Sequence, residues 1–93
     1  MTQPIPTYDL PGATGPVGPQ RDGAYFGITV RETAGAVAVV KITSTGTGAI
    51  KSEVTLAAAG SIDLFYGPGG LKCSGGMTYT LISGTVEGSV RFA

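Results

Sequence analysis

The sequence predicts an all-β fold, a small antiparallel β-sandwich or barrel-like domain with an extended Pro/Gly-rich N-terminal arm. Short stretches alternate between apolar and polar residues, which is the two-residue period of strands with one buried face. Sixteen glycines, together with many Thr, Ser and Val residues, favour strands and turns over helices. A chain of 93 residues fits one small domain. We therefore expect an arm over residues 1–21 and a β-domain over residues 22–93.

The arm is predicted from its prolines, since residues 1–21 hold all but one of those in the chain and show no strand or helix periodicity. A segment without periodicity is not expected to join the sheets. Its apolar side chains have nothing in the arm itself to cover them, which makes them candidate contacts to pockets on another subunit. These partner-binding candidates are Ile5, Tyr8, Leu10 and Val17.

Three Gly-X-Y triplets begin at Gly12, Gly15 and Gly18. A collagen-like triple helix requires this repeat, because only glycine fits near its axis. Two interpretations stay open, a polyproline-like linker and a short three-chain bundle.

The first half of the β-domain is expected to contain three strands. In the strand over residues 25–31, Phe26, Ile28 and Val30 share a side. Residues 36–42 are almost continuously apolar, as in a central strand covered on both faces. In the strand over residues 50–56, Ile50, Val54 and Leu56 face one way.

The second half continues with an alternating strand over residues 61–66, the turn Gly67-Pro68-Gly69-Gly70 and a short strand or bridge over residues 71–73. Residues 77–92 contain two alternating runs joined by Ser83-Gly84, which predicts a β-hairpin. Six strands spaced by turns are typical of an antiparallel sandwich or small barrel. The mid-strand residues expected in the core are Val39, Leu64, Leu81 and Val90.

The charges and residue types argue against several functions. Six basic and six acidic residues cancel, so no overall field attracts nucleic acid or an anionic membrane. The chain has no histidine and one cysteine, which removes the commonest general base and the ligands of a zinc site. No phosphate-binding glycine pattern is present. We expect no catalytic residues, no metal and no cofactor.

Three groups of residues could form a functional site, and for each an ordinary structural role is the preferred interpretation. Cys73 is interpreted as a small buried residue rather than a thiol activated by Lys72. Asp63 and Glu87 are interpreted as surface carboxylates rather than a glycosidase pair. The aromatic residues are expected in the core rather than on a base-stacking platform. They are Tyr25, Phe26, Phe65, Tyr66, Tyr79 and Phe92.

The N-terminus shows neither the basic start nor the apolar run of a secretory signal. The longest uninterrupted apolar run, residues 36–40, is far shorter than the roughly 20 residues that span a bilayer. We expect a soluble protein made in the cytoplasm.

Two segments, AAAGSIDLFYGPGGL (57–71) and GMTYTLISGTVEGSV (76–90), resemble small virion proteins of tailed bacteriophages, which are β-sandwich decoration or minor structural proteins. The resemblance implies a capsid decoration protein in the virion that binds the outside of the head and stabilises contacts between coat subunits. Its implied partners are the major capsid protein or other virion subunits, and a homo-oligomer, with a trimer favoured. It implies no catalytic residue.

Three alternatives remain. The first is a tail or head-fibre component whose triplets start a trimeric stalk. The second is a small carbohydrate-binding module that uses exposed tyrosines. The weakest is an enzyme.

Overall fold

The computed structural model describes residues 5–93, which form two packed antiparallel sheets and no helix. The predicted all-β fold, consistent with a small β-sandwich, is confirmed. None of the described residues forms a helix long and apolar enough to cross a membrane. The strands are β1 (Thr7–Asp9), β2 (Gly15–Val17), β3 (Gly23–Glu32), β4 (Ala38–Ser44), β5 (Ile50–Leu56), β6 (Ser61–Phe65), β7 (Leu71–Cys73), β8 (Met77–Ser83) and β9 (Val86–Phe92).

The strands divide between two sheets, which we call sheet A and sheet B. Sheet A has the order β1-β9-β3-β6, and β7 pairs with the start of β3. Sheet B has the order β2-β8-β4-β5. Every connection between consecutive strands except β4–β5 and β6–β7 therefore crosses from one sheet to the other. The core lies between the sheets, where the fully buried large side chains include Tyr25, Ile28, Ile42, Met77, Tyr79 and Phe92.

Residues 77–92 do not form the predicted hairpin. β8 pairs with β4 and β2, whereas β9 pairs with β3 and β1. The turn after Ser83 carries the chain between sheets, and Gly84 has φ +84° there. A Cβ on Gly84 would lie 2.6 Å from the Cβ of Ala38, so only glycine fits without a shift. The alternation of apolar residues was a sound guide to strands, but it does not specify which strand is the partner.

The expectation that residues 1–21 stay apart from the sheets is wrong for their described part. β1 pairs with β9 in the register Thr7–Arg91, and β2 pairs with β8 in the register Val17–Met77. Both pairings are antiparallel, so the arm runs along residues 77–92 and crosses between the sheets with them. The second triplet, Gly15–Val17, is therefore a strand of sheet B in this chain rather than part of a polyproline-like segment.

Register irregularities explain two errors in the predicted strand faces. On β3 the pairing skips from Tyr25 to Gly27, which leaves Phe26 as the extra residue of a bulge. Tyr25 consequently enters the core in place of Phe26, which is only half-buried. A second irregularity on the β4–β5 pair turns Ile50 outward, and 57% of its surface is exposed.

Of the four predicted core residues, only Val90 is fully buried. Leu64 and Leu81 are half-buried and pack against the core from β6 and β8. Val39 is half-buried on the outer face of sheet B, because Ala38, Val40 and Ile42 form the inner face of β4. The prediction that β4 is covered on both faces is therefore wrong.

Two substitutions on β4 test this assignment of faces. Ile42→Ala should lower the free energy of unfolding by about 2 to 5 kcal/mol, since it opens a cavity among fully buried side chains. Val39→Ala on the opposite face should cost about 1 kcal/mol or less. Urea denaturation of both variants measures the difference. Equal losses would show that the two faces are equally buried.

Deletion of residues 1–17 tests whether the arm stabilises the domain. The truncation removes β1, β2 and the side chain of Val17, which is 3% exposed. Burial of a valine contributes roughly 1.5 to 3 kcal/mol, so the melting temperature should fall by more than about 5 °C. Deletion of residues 2–4, outside the described residues, is the control. A melting temperature that is unchanged in the longer deletion would contradict a structural role for β1 and β2.

Candidate docking surface

At one end of the sandwich, the exposed connections between strands carry no charged residue. We define this tip as residues 33–37 between β3 and β4, residues 57–60 between β5 and β6, and residues 82–85, which end β8 and lead into β9. All of them except Gly60 are exposed, including 57% of Val37 and 51% of Ile82. Residues 11–14, which link β1 to β2 beside the tip, are also uncharged. The opposite end exposes Arg21 and Asp22 in the link between β2 and β3, while its other connections, residues 45–49, 66–70 and 74–76, are also uncharged.

A buried carboxylate holds two of the tip loops together. Glu32 ends β3 with only 5% of its surface exposed. Its Oε1 accepts hydrogen bonds of 2.8 Å from the N–H groups of Gly35 and Ala59, and its Oε2 accepts one from the N–H of Ala34. The hydrogen bond from Ala59 is the main cause that lowers the pKa of Glu32. The hydrogen bonds from the loop 33–37 lower this pKa further. The loops 33–37 and 57–60 therefore have a fixed relative position.

Backbone bonds extend this connection to the third loop. The N–H of Thr33 donates to the carbonyl of Thr85 at 3.0 Å. The N–H of Glu32 itself donates to the carbonyl of Gly60 at 2.9 Å. All three tip loops are thus joined at the end of β3 and form one surface rather than separate flexible segments.

The turn at residues 57–60 contains a strained residue. The N–H of Gly60 donates to the carbonyl of Ala57 at 2.8 Å, which closes a four-residue turn. Ala59 has φ +60°, a left-handed conformation that costs a residue with a Cβ about 1 to 2 kcal/mol. The bond from its N–H to Glu32 helps hold it there. Such strain persists where the surrounding structure fixes the backbone.

The outer face of sheet A differs from the tip because it carries paired charges. Arg31 forms an ion pair with Glu87 across β3 and β9. Arg91 reaches from β9 over β3 to bind Asp63 at 3.1 Å and the carbonyl of Leu64 at 2.7 Å. A Cβ on Gly27 would lie 1.9 Å from that carbonyl oxygen and 2.7 Å from the guanidinium, so the arginine crosses β3 where there is no side chain.

The two carboxylates considered as a glycosidase pair are each engaged separately in this face. Asp63 also accepts a hydrogen bond of 2.8 Å from Thr29, and that bond, followed by the one from Arg91, lowers the pKa of Asp63. Glu87 is held by Arg31. Neither carboxylate is left free to act as a partner of the other.

An open cleft of about 730 Å³ lies on sheet A next to the tip. Its wall on one side is the bend of the arm, with Leu10 and Pro11, and its floor includes residues 29–31 and 86–89. Asp9 and the Arg31–Glu87 pair are its charged groups. The charged side chains of the cleft therefore lie beside the uncharged tip.

The predicted partner-binding residues of the arm mostly cover their own domain. Val17 belongs to the core, and Tyr8 and Leu10 pack against it. Ile5 is half-buried. Nothing within the arm covers these side chains, as expected, but Tyr8, Leu10 and Val17 are covered by the β-domain of the same chain and so do not need a pocket on another subunit. Contact of these residues with another subunit stays a prediction, and Leu10 is the one that lines the cleft.

The other candidate residues have structural positions. Cys73 is fully buried, and burial raises the pKa of its thiol, which disagrees with activation by Lys72. Three of the aromatic residues, Tyr25, Tyr79 and Phe92, are in the core as predicted, whereas Phe65 is 62% exposed. Tyr8 and Tyr66 are half-buried, so none of the four tyrosines forms the exposed platform that the carbohydrate-binding alternative needs. Within residues 5–93 no three His, Cys, Asp or Glu side chains are placed to hold a metal ion.

The sequence analysis did not predict the tip, because it considered the total charge and individual charged residues rather than the loops that meet at one end of the fold. The segments TAGAV (33–37), AAAG (57–60) and ISGT (82–85) are individually ordinary turn sequences. Residues 45–49, 66–70 and 74–76 are uncharged as well, so the sequence alone does not single out these three connections. Only the topology places them at the same end.

Comparisons with known proteins give no match for this chain among protein-family models, curated proteins or solved structures.

The role of Glu32 predicts a pH dependence of stability. Its folded-state pKa is lowered below the ordinary value of 4.5, so its stabilisation is fully present above that value and is lost as the pH falls through the folded-state pKa. Glu32→Gln should lower the melting temperature at pH 7, and the difference from the unsubstituted protein should shrink in acid. Melting curves between pH 7 and pH 3 measure this.

Asp63→Asn is the matched control, because the pKa of Asp63 is also lowered but 71% of its side chain is exposed. Its effect on the melting temperature should be smaller, since exposed ion pairs contribute little. A larger effect of Asp63→Asn than of Glu32→Gln would contradict the assigned importance of Glu32.

Proposed function

We propose that this protein is a non-enzymatic structural protein of a tailed-bacteriophage virion, where it decorates the outside of the head. Its partners are the major capsid protein or neighbouring virion subunits, whose contacts it stabilises. Copies associate on the particle, with a trimer as the favoured grouping. The resemblance of residues 57–71 and 76–90 to phage virion proteins is the source of the virion assignment.

The observation that carries a binding role is the uncharged tip. Charged residues are depleted at the centres of protein interfaces, since each one must lose its hydration when the partner binds. A surface formed by small aliphatic and hydroxyl side chains on a fixed backbone suits such a contact. The exposed Val37 and Ile82 supply its largest apolar groups.

The arrangement of the polar side chains favours a structural role over an enzymatic one. The carboxylates with lowered pKa, Glu32 and Asp63, are engaged by backbone N–H groups or by Thr29 and Arg91. A general base needs a free lone pair within reach of a substrate. The bonds of both side chains instead connect loops or strands.

The topology argues against the alternative of a tail or head-fibre component with a trimeric stalk. A trimeric stalk would require the Gly-X-Y triplets to leave the domain, whereas Gly15–Val17 pairs with β8 and Val17 lies in the core. Forming the stalk would therefore expose Val17 and break β2 from sheet B. Decoration needs no such rearrangement.

Quantitative mass spectrometry of purified virions tests the proposal. We expect hundreds of copies per particle, because decoration follows the repeated lattice of the head. Recombinant protein added to particles that lack it should bind and raise the temperature at which the heads open. The control is the same protein after thermal denaturation.

Two results would overturn the proposal. One is the absence of the protein from purified virions. The other is hydrolase activity in glycosidase or esterase screens that disappears in Asp63→Ala or Glu87→Ala. A few copies per particle would instead indicate a tail or fibre component.

A further inference from the structure

The two sheets end in edge strands of different lengths. On one flank of the sandwich the edges are the arm strands β1 and β2, with three residues each. On the other flank they are β5 in sheet B, with seven residues, and β6 in sheet A, with five. An edge strand leaves a row of backbone N–H and C=O groups unpaired, and a long one is a template for a strand of another chain. β5 and β6 are therefore the edges on which a further strand can pair.

The edge strand β5 carries two charges of opposite sign, one on each side of Ser52. Ser52 is 7% exposed and its Oγ lies 2.9 Å from the hydroxyl of Tyr66, so this side chain points between the sheets. Its neighbours Lys51 and Glu53 therefore lie toward the outer face, since successive side chains of a strand alternate. Glu53 is exposed and lies opposite Lys41 of β4, whereas Lys51 is half-buried where the register of the β4–β5 pair shifts. β5 thus carries a positive and a negative side chain two residues apart.

The charges of β5 complement those of a second β5 strand in one antiparallel register. Residues that pair across two strands lie on the same face of the sheet, so the two-fold axis of such a pair passes through a residue. With the axis at Ser52, Lys51 of each copy lies opposite Glu53 of the other. With the axis at Lys51 or at Glu53, two like charges face each other. Opposite charges directly across two strands stabilise their pairing, and like charges destabilise it.

The edge of sheet A on the same flank lacks this self-complementarity. β6 carries Asp63 and no basic residue. Pairing of two β6 strands about their central residue would place Asp63 of one copy opposite Asp63 of the other, which is destabilising. A single charge of this kind protects an edge strand against pairing. Charge therefore selects β5 rather than β6 as the edge that accepts a second copy.

We propose that β5 is a self-association edge, on which the β5 strands of two copies pair antiparallel about Ser52 and join two four-stranded B sheets into one continuous sheet. Each copy contributes the same strand, so the contact is isologous and closes at two copies. Because it has two-fold symmetry, it is separate from the trimeric grouping proposed for the particle. The inference goes beyond the proposed function and does not depend on it.

Charge reversal tests both the edge and the register. Sedimentation equilibrium of the isolated full chain, at concentrations up to about 1 mM, should show a reversible monomer–dimer equilibrium. Lys51→Glu and Glu53→Lys should each raise the dissociation constant at least about tenfold, since each replaces two attractive pairs with two repulsive ones. The double variant K51E/E53K should restore the dissociation constant to within about threefold of the original, because both pairs form again with their signs exchanged.

Asp9→Lys is the matched control, because it makes the same change of charge as Glu53→Lys at an exposed strand residue on the opposite flank. It should leave the dissociation constant unchanged. Salt is an independent readout, since raising NaCl from roughly 0.05 to 0.5 M screens exposed charges and should weaken association of the unsubstituted protein. Melting curves verify that the variants fold, and Glu53→Gln, which removes the charge without reversing it, should weaken association less than Glu53→Lys.

The outcomes separate this inference from the proposed function. An unsubstituted protein that stays monomeric at the highest concentration overturns the inference and leaves head decoration untouched. A dimer that survives both single reversals overturns it as well, and so does a double variant that is folded but monomeric. Association that is lost in Asp9→Lys and kept in Glu53→Lys would place the contact on the arm flank instead. Retention of the protein on heads is a separate measurement, and its failure counts only against the proposed function.

Discussion

The structure depends on the way residues 77–92 cross from sheet B to sheet A within the two residues, Gly84 and Thr85, that separate β8 from β9. The crossing brings Gly84 against Ala38 so closely that no Cβ fits between them. Because β8 and β9 lie in different sheets, each has a free edge, and the arm supplies the partner for both. The arm is thus an integral part of the sandwich, and its bend forms a wall of the cleft.

The same crossing places the tip. When β8 passes to β9, the chain turns at the end where β3 leads to β4 and β5 leads to β6. Three short connections meet there, and Glu32 satisfies the backbone donors that their tight turns leave unpaired. A carboxylate in this position is stabilised by several N–H groups at once. It allows the exposed loops to be small and uncharged and still keep a defined shape.

Charge is divided between surfaces in a way that agrees with a docking role. On sheet A, Glu87 of β9 pairs with Arg31 of the adjacent strand β3, and Asp63 of the edge strand β6 pairs with Arg91, which reaches from β9 across β3. Such pairs add little stability in water, but they keep this face soluble and hydrated. The tip has no such groups, so water is displaced from it at low cost. The two surfaces would therefore respond differently to salt and to a partner.

Local sequence pattern determined the strands, the turns and the absence of helices, because the period of two and the glycine-rich breaks are properties of neighbouring residues. It placed Val90 in the core and Leu64 on the inward side of β6. Bulges, which depend on how two strands align, reversed the expected faces at Phe26 and Ile50. The local pattern does not specify which strands pair, because a strand with alternating apolar residues can bury the same face beside several different neighbours. Only the tertiary structure could therefore separate β8 from β9, draw the proline-rich arm onto both edges and bring three uncharged loops together around Glu32.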